Sequence, residues 1–214
     1  MIKICGLTTD DCIDCCQAEG VDAVGFNCYP RSPRYLAIDE ARRLRLRISV
    51  PMEVVGVFVR PSVEELRRAV EELELDVVQI HGADAEYWRM FEPPNALLWL
   101  AQGVSSLAEI THLRLQEKLC KSMNVTVSSV LVDARVDGLE GGTGQVAPWN
   151  LLQETTWTLP LVLAGGLTPG NVRQAIEQVR PYGVDVASGV ESSPGVKDAL
   201  KVREFVKNAR AALR

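Results

Sequence analysis

Cys5 and Asp133 each close a short apolar run, and between them they could move protons. A thiol with a lowered pKa can abstract a proton, and a carboxyl group opposite it can deliver one. Both types also have structural uses, as a cysteine buried in a strand or an aspartate ending a turn. Arg34 lies in Pro30-Arg31-Ser32-Pro33-Arg34-Tyr35. Two prolines stiffen that loop and limit the entropy lost in holding a guanidinium over a site. Arg34 could grip a carboxylate through two parallel hydrogen bonds, while Arg31 reads as a solvated neighbour.

Glycines supply a second chemistry. Ala164-Gly165-Gly166-Leu167 and Ala187-Ser188-Gly189-Val190-Glu191 each follow an apolar run. Glycine lets backbone N–H groups approach an anion closely, and one such turn alone would be ordinary. Two in consecutive loops point to a phosphate. Gly141-Gly142-Thr143-Gly144 reads as a loop covering the site. His81, in Gln79-Ile80-His81-Gly82, could serve in acid–base work or as a hydrogen-bonded structural residue.

The apolar runs that must position these residues cover 2–5, 23–26, 54–59, 77–80, 97–101, 130–133, 161–164 and 184–187. They are near-continuous rather than alternating, as parallel strands buried on both faces are. Helix-like stretches separate them, at 10–19, 38–48, 63–73, 83–91, 106–122, 149–153, 171–179 and 198–213. Thr9 and the Pro169-Gly170-Asn171 segment read as helix starts. Eight strand–helix pairs predict one α/β domain over residues 1–214, a closed (β/α)8 barrel of parallel strands. An open doubly wound sheet would call for a glycine-rich turn after the first strand, and Cys5-Gly6-Leu7-Thr8 is not G-x-G-x-x-G. In such barrels chemistry sits where strands run into their following loops, with phosphate commonly at the seventh and eighth.

The composition agrees with a globular chain. Hydrophobic residues are 47% and charged residues 24% of the 214, outside the range of disordered chains. A net charge of −5 argues against nucleic acid or an anionic membrane as the main partner. No apolar run reaches the ~20 residues of a membrane span, and Met1-Ile2-Lys3-Ile4 lacks a signal-peptide pattern, so a cytoplasmic location is expected. Six cysteines are too irregularly spaced for a disulfide framework, and Cys12, Cys15 and Cys16 read as buried thiols. His81 and His112 are the only histidines, which leaves a metal site poorly supplied and argues against a metal-dependent epimerase of phosphosugars. A catalytically silent barrel is the other alternative, disfavoured by the retained proton-transfer pair and glycine loops.

Taken in order, these segments resemble the phosphoribosylanthranilate isomerases of tryptophan biosynthesis. The matching pieces are Lys3-Ile4-Cys5-Gly6-Leu7-Thr8, Ser32-Pro33-Arg34-Tyr35, Gln79-Ile80-His81-Gly82, Leu131-Val132-Asp133 and Gly141-Gly142-Thr143-Gly144, followed by Leu163-Ala164-Gly165-Gly166-Leu167, Val184-Asp185-Val186 and Ser188-Gly189-Val190-Glu191. The resemblance implies an Amadori rearrangement of a phosphoribosyl substrate, without metal or organic cofactor, in a monomer or homodimer. It implies Asp133 as general acid and Cys5 as general base, with Cys5 open to the site and readily ionised. Gly166, Ser188 and Gly189 would hold the phosphate, Arg34 the anthranilate carboxylate, and His81 and Asp185 would also contact substrate. Ala147-Pro148-Trp149, Leu100-Ala101 and Ala187 depart from the family's usual residues, which bears on loops rather than on the acid and base.

Overall fold

In a computed structural model, which describes residues 1–134 and 149–213, eight parallel strands pair in chain order. They are β1 (Ile2–Cys5), β2 (Ala23–Asn27), β3 (Glu53–Val59), β4 (Val77–His81), β5 (Leu97–Gly103), β6 (Ser129–Asp133), β7 (Leu161–Ala164) and β8 (Gly183–Val186). β8 pairs back onto β1, which closes the barrel. Helices α1 (Asp10–Glu19), α2 (Ile38–Arg45), α3 (Val63–Leu73), α4 (Ala85–Arg89), α5 (Leu107–Ser122), α6 (Trp149–Gln153), α7 (Val172–Val179) and α8 (Ala199–Ala212) alternate with them.

Successive strand residues point to opposite faces, so each strand feeds two cores. Ala23, Val55, Val77, Trp99, Ala101, Leu131, Val162 and Ala164 face inward and fill the barrel. Ile2, Ile4, Val24, Phe26, Val78 and Leu98 belong to the opposite set and pack with helix residues such as Ile13, Leu44, Leu66, Leu73, Ile110 and Phe205. Burial on both faces is why the sequence runs are almost unbroken in hydrophobicity. Caps fix where helices begin. The Thr9 hydroxyl accepts from the backbone N–H of Cys12, and Ser62 with Glu65 forms a reciprocal capping box.

Several strands run further than their apolar residues. Asn27, His81 and Gly103 extend β2, β4 and β5, because backbone pairing continues after the side chains turn polar. Conversely, Ala187 leaves β8 with φ −120° and ψ −82° and starts a short 3-10 turn, Ser188–Val190. An antiparallel hairpin unforeseen in the sequence follows, β9 (Glu191–Ser193) and β10 (Val196–Lys197). Strands this short carry no readable periodicity. Asn171 precedes α7 but does not cap it; its carboxamide oxygen accepts from Thr168 N at 2.8 Å. The Gly141–Gly144 stretch (141–144) and Ala147-Pro148 lie outside the described residues.

Candidate active site

The C-terminal strand ends gather the polar residues that the inward pattern leaves over. Parallel register sets Lys3 beside Asp185 and Cys5 beside Gly25. Lys3, with no exposed surface, donates from Nζ to Asp185 Oδ1 at 3.0 Å. Gly25 makes room for this group: a Cβ there would lie 2.8 Å from Cys5 Sγ and 3.2 Å from Lys3 Nζ. Cys5 is only 8% exposed, which corrects the expectation of an open thiol. Burial pushes its pKa up, and the attraction of Lys3 and Lys197 offsets that only in part. Burial thus works against the readily ionised thiol expected from the sequence. Asp185, expected against substrate, is buried and pairs with Lys3.

Arg34 reaches the same region from the loop after β2. Its stem crosses Gly6, where a Cβ would come within 2.4 Å of Arg34 Cδ. Arg34 Nε and Nη2 donate to the two carboxylate oxygens of Glu191 at 2.7 and 2.6 Å. Lys197, whose side chain is fully buried, donates to Glu191 Oε1 at 2.8 Å and to the Ala187 carbonyl at 3.2 Å. Burial would raise the Glu191 pKa, but the hydrogen bonds from Arg34 and Lys197 outweigh it and hold the group below the usual carboxylate range. The side-on edge of the Arg34 guanidinium, Nε with Nη2, is thus occupied.

Asp133 ends β6, three strands round the barrel from Cys5 by way of β7 and β8. It is half-buried and lines, with His81, Gln102 and Ser105, a cavity of about 350 Å³. Gly165 adopts φ +90° beside it, and a Cβ there would lie 2.5 Å from Asp133 Oδ1. Only glycine satisfies both the backbone and the space. His81 is placed by Gln79, whose Nε2 lies 2.8 Å from His81 Nε2. Gly166 and Ser188 are exposed, and a Cβ on Gly166 would meet nothing within 4 Å. A Cβ on Gly189 would fall 1.8 Å from the Leu167 carbonyl oxygen, so the loops after β7 and β8 lie in direct contact. Asn171 supports the first of them by donating to the Gly166 carbonyl at 3.0 Å.

The structure therefore brings Cys5, Arg34 and Asp185 into one largely buried ionic cluster, Arg34 at its half-buried edge, and sets Gly166, Ser188 and Gly189 on adjoining loops between them and Asp133. Sequence reasoning missed Lys3, Gln79, Asn171, Glu191 and Lys197. Lys3 carried a signal in advance, since it is the one charge inside the apolar run Ile2–Cys5, at an inward position two residues before the thiol. Among the described residues no three His, Cys, Asp or Glu side chains gather as metal ligands would. A larger hollow, about 670 Å³, lies at the opposite end of the strands. There Asp22 and Asp76 accept from the backbone N–H of Ile2 and Val54 and tie successive strands together.

Comparison with known proteins matches the family model described as N-(5'phosphoribosyl)anthranilate (PRA) isomerase to residues 2–208. An N-(5'-phosphoribosyl)anthranilate isomerase from Trichlorobacter lovleyi is 40% identical over 215 residues, spanning 99% of this chain and 98% of its own length. One from Dechloromonas aromatica is also 40% identical, over 99% of this chain and 96% of its own. The phosphoribosyl anthranilate isomerase of Thermotoga maritima superposes with a TM-score of 0.86 at 34% identity, each chain covered to 98%. A structure of such an isomerase in complex with reduced 1-(o-carboxyphenylamino)-1-deoxyribulose 5-phosphate gives 0.80 at 33% identity, again covering 98% of each. This chain belongs to the N-(5'-phosphoribosyl)anthranilate isomerase family.

Proposed function

We propose that the chain performs the rearrangement for which its family is named, with Asp133 as general acid and Cys5 as general base. The observation that carries this reading is the placement of the two residues at the mouths of β6 and β1, with the glycine loops of β7 and β8 between them. A phosphate seated on Gly166, Ser188 and Gly189 would hold a ribose across the barrel mouth, one reacting atom toward each residue. Protonated Asp133 gives its proton to the ring oxygen as the C1′–O bond breaks. The anthranilate nitrogen lone pair forms the Schiff base, and Asp133 is left as carboxylate. Cys5 thiolate then takes the C2′ proton, and the C–H electron pair makes C1′=C2′ while the C=N electrons return to nitrogen. The resulting enolamine tautomerises to the ketone, so the sum is an isomerisation with no net redox change. Arg34 receives the ring carboxylate, and His81 contacts substrate from the cavity it shares with Asp133. The product is 1-(2-carboxyphenylamino)-1-deoxyribulose 5-phosphate, made in the cytoplasm for tryptophan biosynthesis.

Turnover of N-(5'-phosphoribosyl)anthranilate, followed by the fluorescence of anthranilate derivatives, tests the assignment. Asp133→Asn and Cys5→Ala should each fold normally and lower kcat by about 10²-fold or more, the scale for losing a general acid or base. Near-normal kcat in either folded variant would remove that residue from the mechanism.

A further inference from the structure

The inward positions of the barrel are mostly apolar, with Val55, Val77, Leu131 and Val162 filling its interior. Lys3 and Asp185 break that pattern. A buried ion pair adds little to stability, because the cost of taking both charges out of water roughly cancels their attraction. Apolar side chains would fill the same space as stably, so burying this ammonium calls for a use. The space beside it supplies one. The hydrogen in place of a Gly25 side chain leaves Lys3 Nζ and Cys5 Sγ both within about 3 Å of a single point. Lys3 thus lies beside the sulphur while it donates to Asp185.

We propose that Lys3 is the positioning residue for the Cys5 base, its ammonium receiving the thiolate charge, and that Asp185 holds Lys3 in place rather than contacting substrate. The arrangement solves a problem that burial creates. A thiolate at a buried strand end needs a close counter-charge, and once Cys5 has taken the substrate proton the buried ammonium needs one too. Asp185 partners the ammonium when Cys5 is a thiol, and the thiolate shares it when Cys5 is ionised. Burial pulls the Lys3 pKa down, but Asp185 and Cys5 outweigh it and keep the ammonium protonated. The other charges facing this group are Lys197 from β10, Arg34 from the loop after β2, and Asp133 from β6, the last acting on Asp185. Glu191 in turn binds both Arg34 and Lys197.

This inference rests on Cys5 being the base, and its test is read without turnover. Thiolate absorbance in the ultraviolet is titrated against pH, and the same protein carrying Cys5→Ser is subtracted so that the other cysteines and the tyrosines cancel. Opposite shifts are expected. Lys3→Met removes the favourable charge and should raise the Cys5 midpoint by about one pH unit or more, so that about ten-fold less thiolate exists at a fixed lower pH. Asp185→Asn removes the opposing carboxylate, leaves the ammonium to the sulphur, and should lower the midpoint. A Lys3→Met midpoint equal to wild type overturns the proposal, and so does an Asp185→Asn midpoint that is unmoved or raised. The near-isosteric Asp185→Asn variant decides the matter if Lys3→Met does not fold. A Cys5→Ala enzyme that still turned over would instead remove the base assignment and leave these titration results standing.

Discussion

Arg34 shows how one residue's geometry changes its chemistry. From the sequence it was a free fork for a carboxylate; in the structure Glu191 already holds Nε and Nη2, and Lys197 holds Glu191. The guanidinium is thereby preorganised, and the entropy of fixing a long side chain is spent before substrate arrives. Arg34→Ala should therefore act mainly on binding, because the residue is remote from the transferred protons. Losing a charge-assisted contact costs about 1.5–3 kcal/mol, or roughly 10- to 150-fold in KM with kcat little changed. Steady-state kinetics decides it: an unaltered KM would make Arg34 a structural partner of Glu191 alone. Cys28 and Cys120 differ from Cys5 in having no such cationic surroundings. Burial pushes Cys28 and Cys120 up to about 12. Cys12 has a packing role, accepting from Lys197 N at 3.2 Å, and Cys15 is only half-buried, not the fully buried thiol the sequence suggested.

At the scale of elements, the loops after β7 and β8 function as one piece. Gly189 presses against the Leu167 carbonyl, Asn171 ties Gly166 from the start of α7, and Asn208 of α8 donates to the Pro169 carbonyl at 2.9 Å. A methyl on Gly189 would sit inside the carbonyl oxygen, and backbone must move to admit it. Gly189→Ala should accordingly part the two loops and weaken inhibition by inorganic phosphate and binding of a reduced product analogue by about 10-fold or more, the scale of one charge-assisted hydrogen bond. Isothermal titration of the folded variant measures this, and wild-type affinity would show that the phosphate binds elsewhere. The β9–β10 hairpin belongs to the same assembly, since it carries Glu191 and Lys197 and is tied to the start of α1 through Thr8 and Cys12.

Across the whole molecule, closure of β8 onto β1 is what brings the two ends of the chain into one site, with Lys3 and Asp185 separated by 182 residues. The Arg34–Glu191 contact joins the second strand's loop to the eighth's in the same way. Such contacts make global stability sensitive to pH. Glu191 has its pKa depressed in the folded state, so the stability it contributes is fully present above the unfolded value, about 4.3, and is lost as pH falls through the folded one. Glu109, which accepts from the Ser105 and Ser106 backbone, and Asp84, which accepts from Tyr87 N, add in the same direction. Urea midpoints should therefore fall as pH drops below about 4.5, and Glu191→Gln should flatten part of that decline. A Glu191→Gln curve parallel to wild type throughout would show that this carboxylate does not couple to folding.

The sequence by itself determined the barrel and most of its element bounds, including β1, β7, α1, α3 and α6 to the residue, because two-sided burial and helical amphipathicity are written locally. Cys5, Asp133 and the glycines could be singled out for a similar reason, since strand-end positions follow once the strands are found, and Arg34 by its place in a proline-stiffened loop. What only the tertiary structure decided was how those residues are charged and held. Whether Cys5 is sealed or open depends on Gly25 and Lys3 beside it, whether Arg34 is free depends on Glu191, and how Asp185 is paired depends on Lys3. Each of these pairings is a contact across barrel closure or between neighbouring strands, made at separations where no local pattern survives, and electrostatic energy depends on that distance rather than on order along the chain.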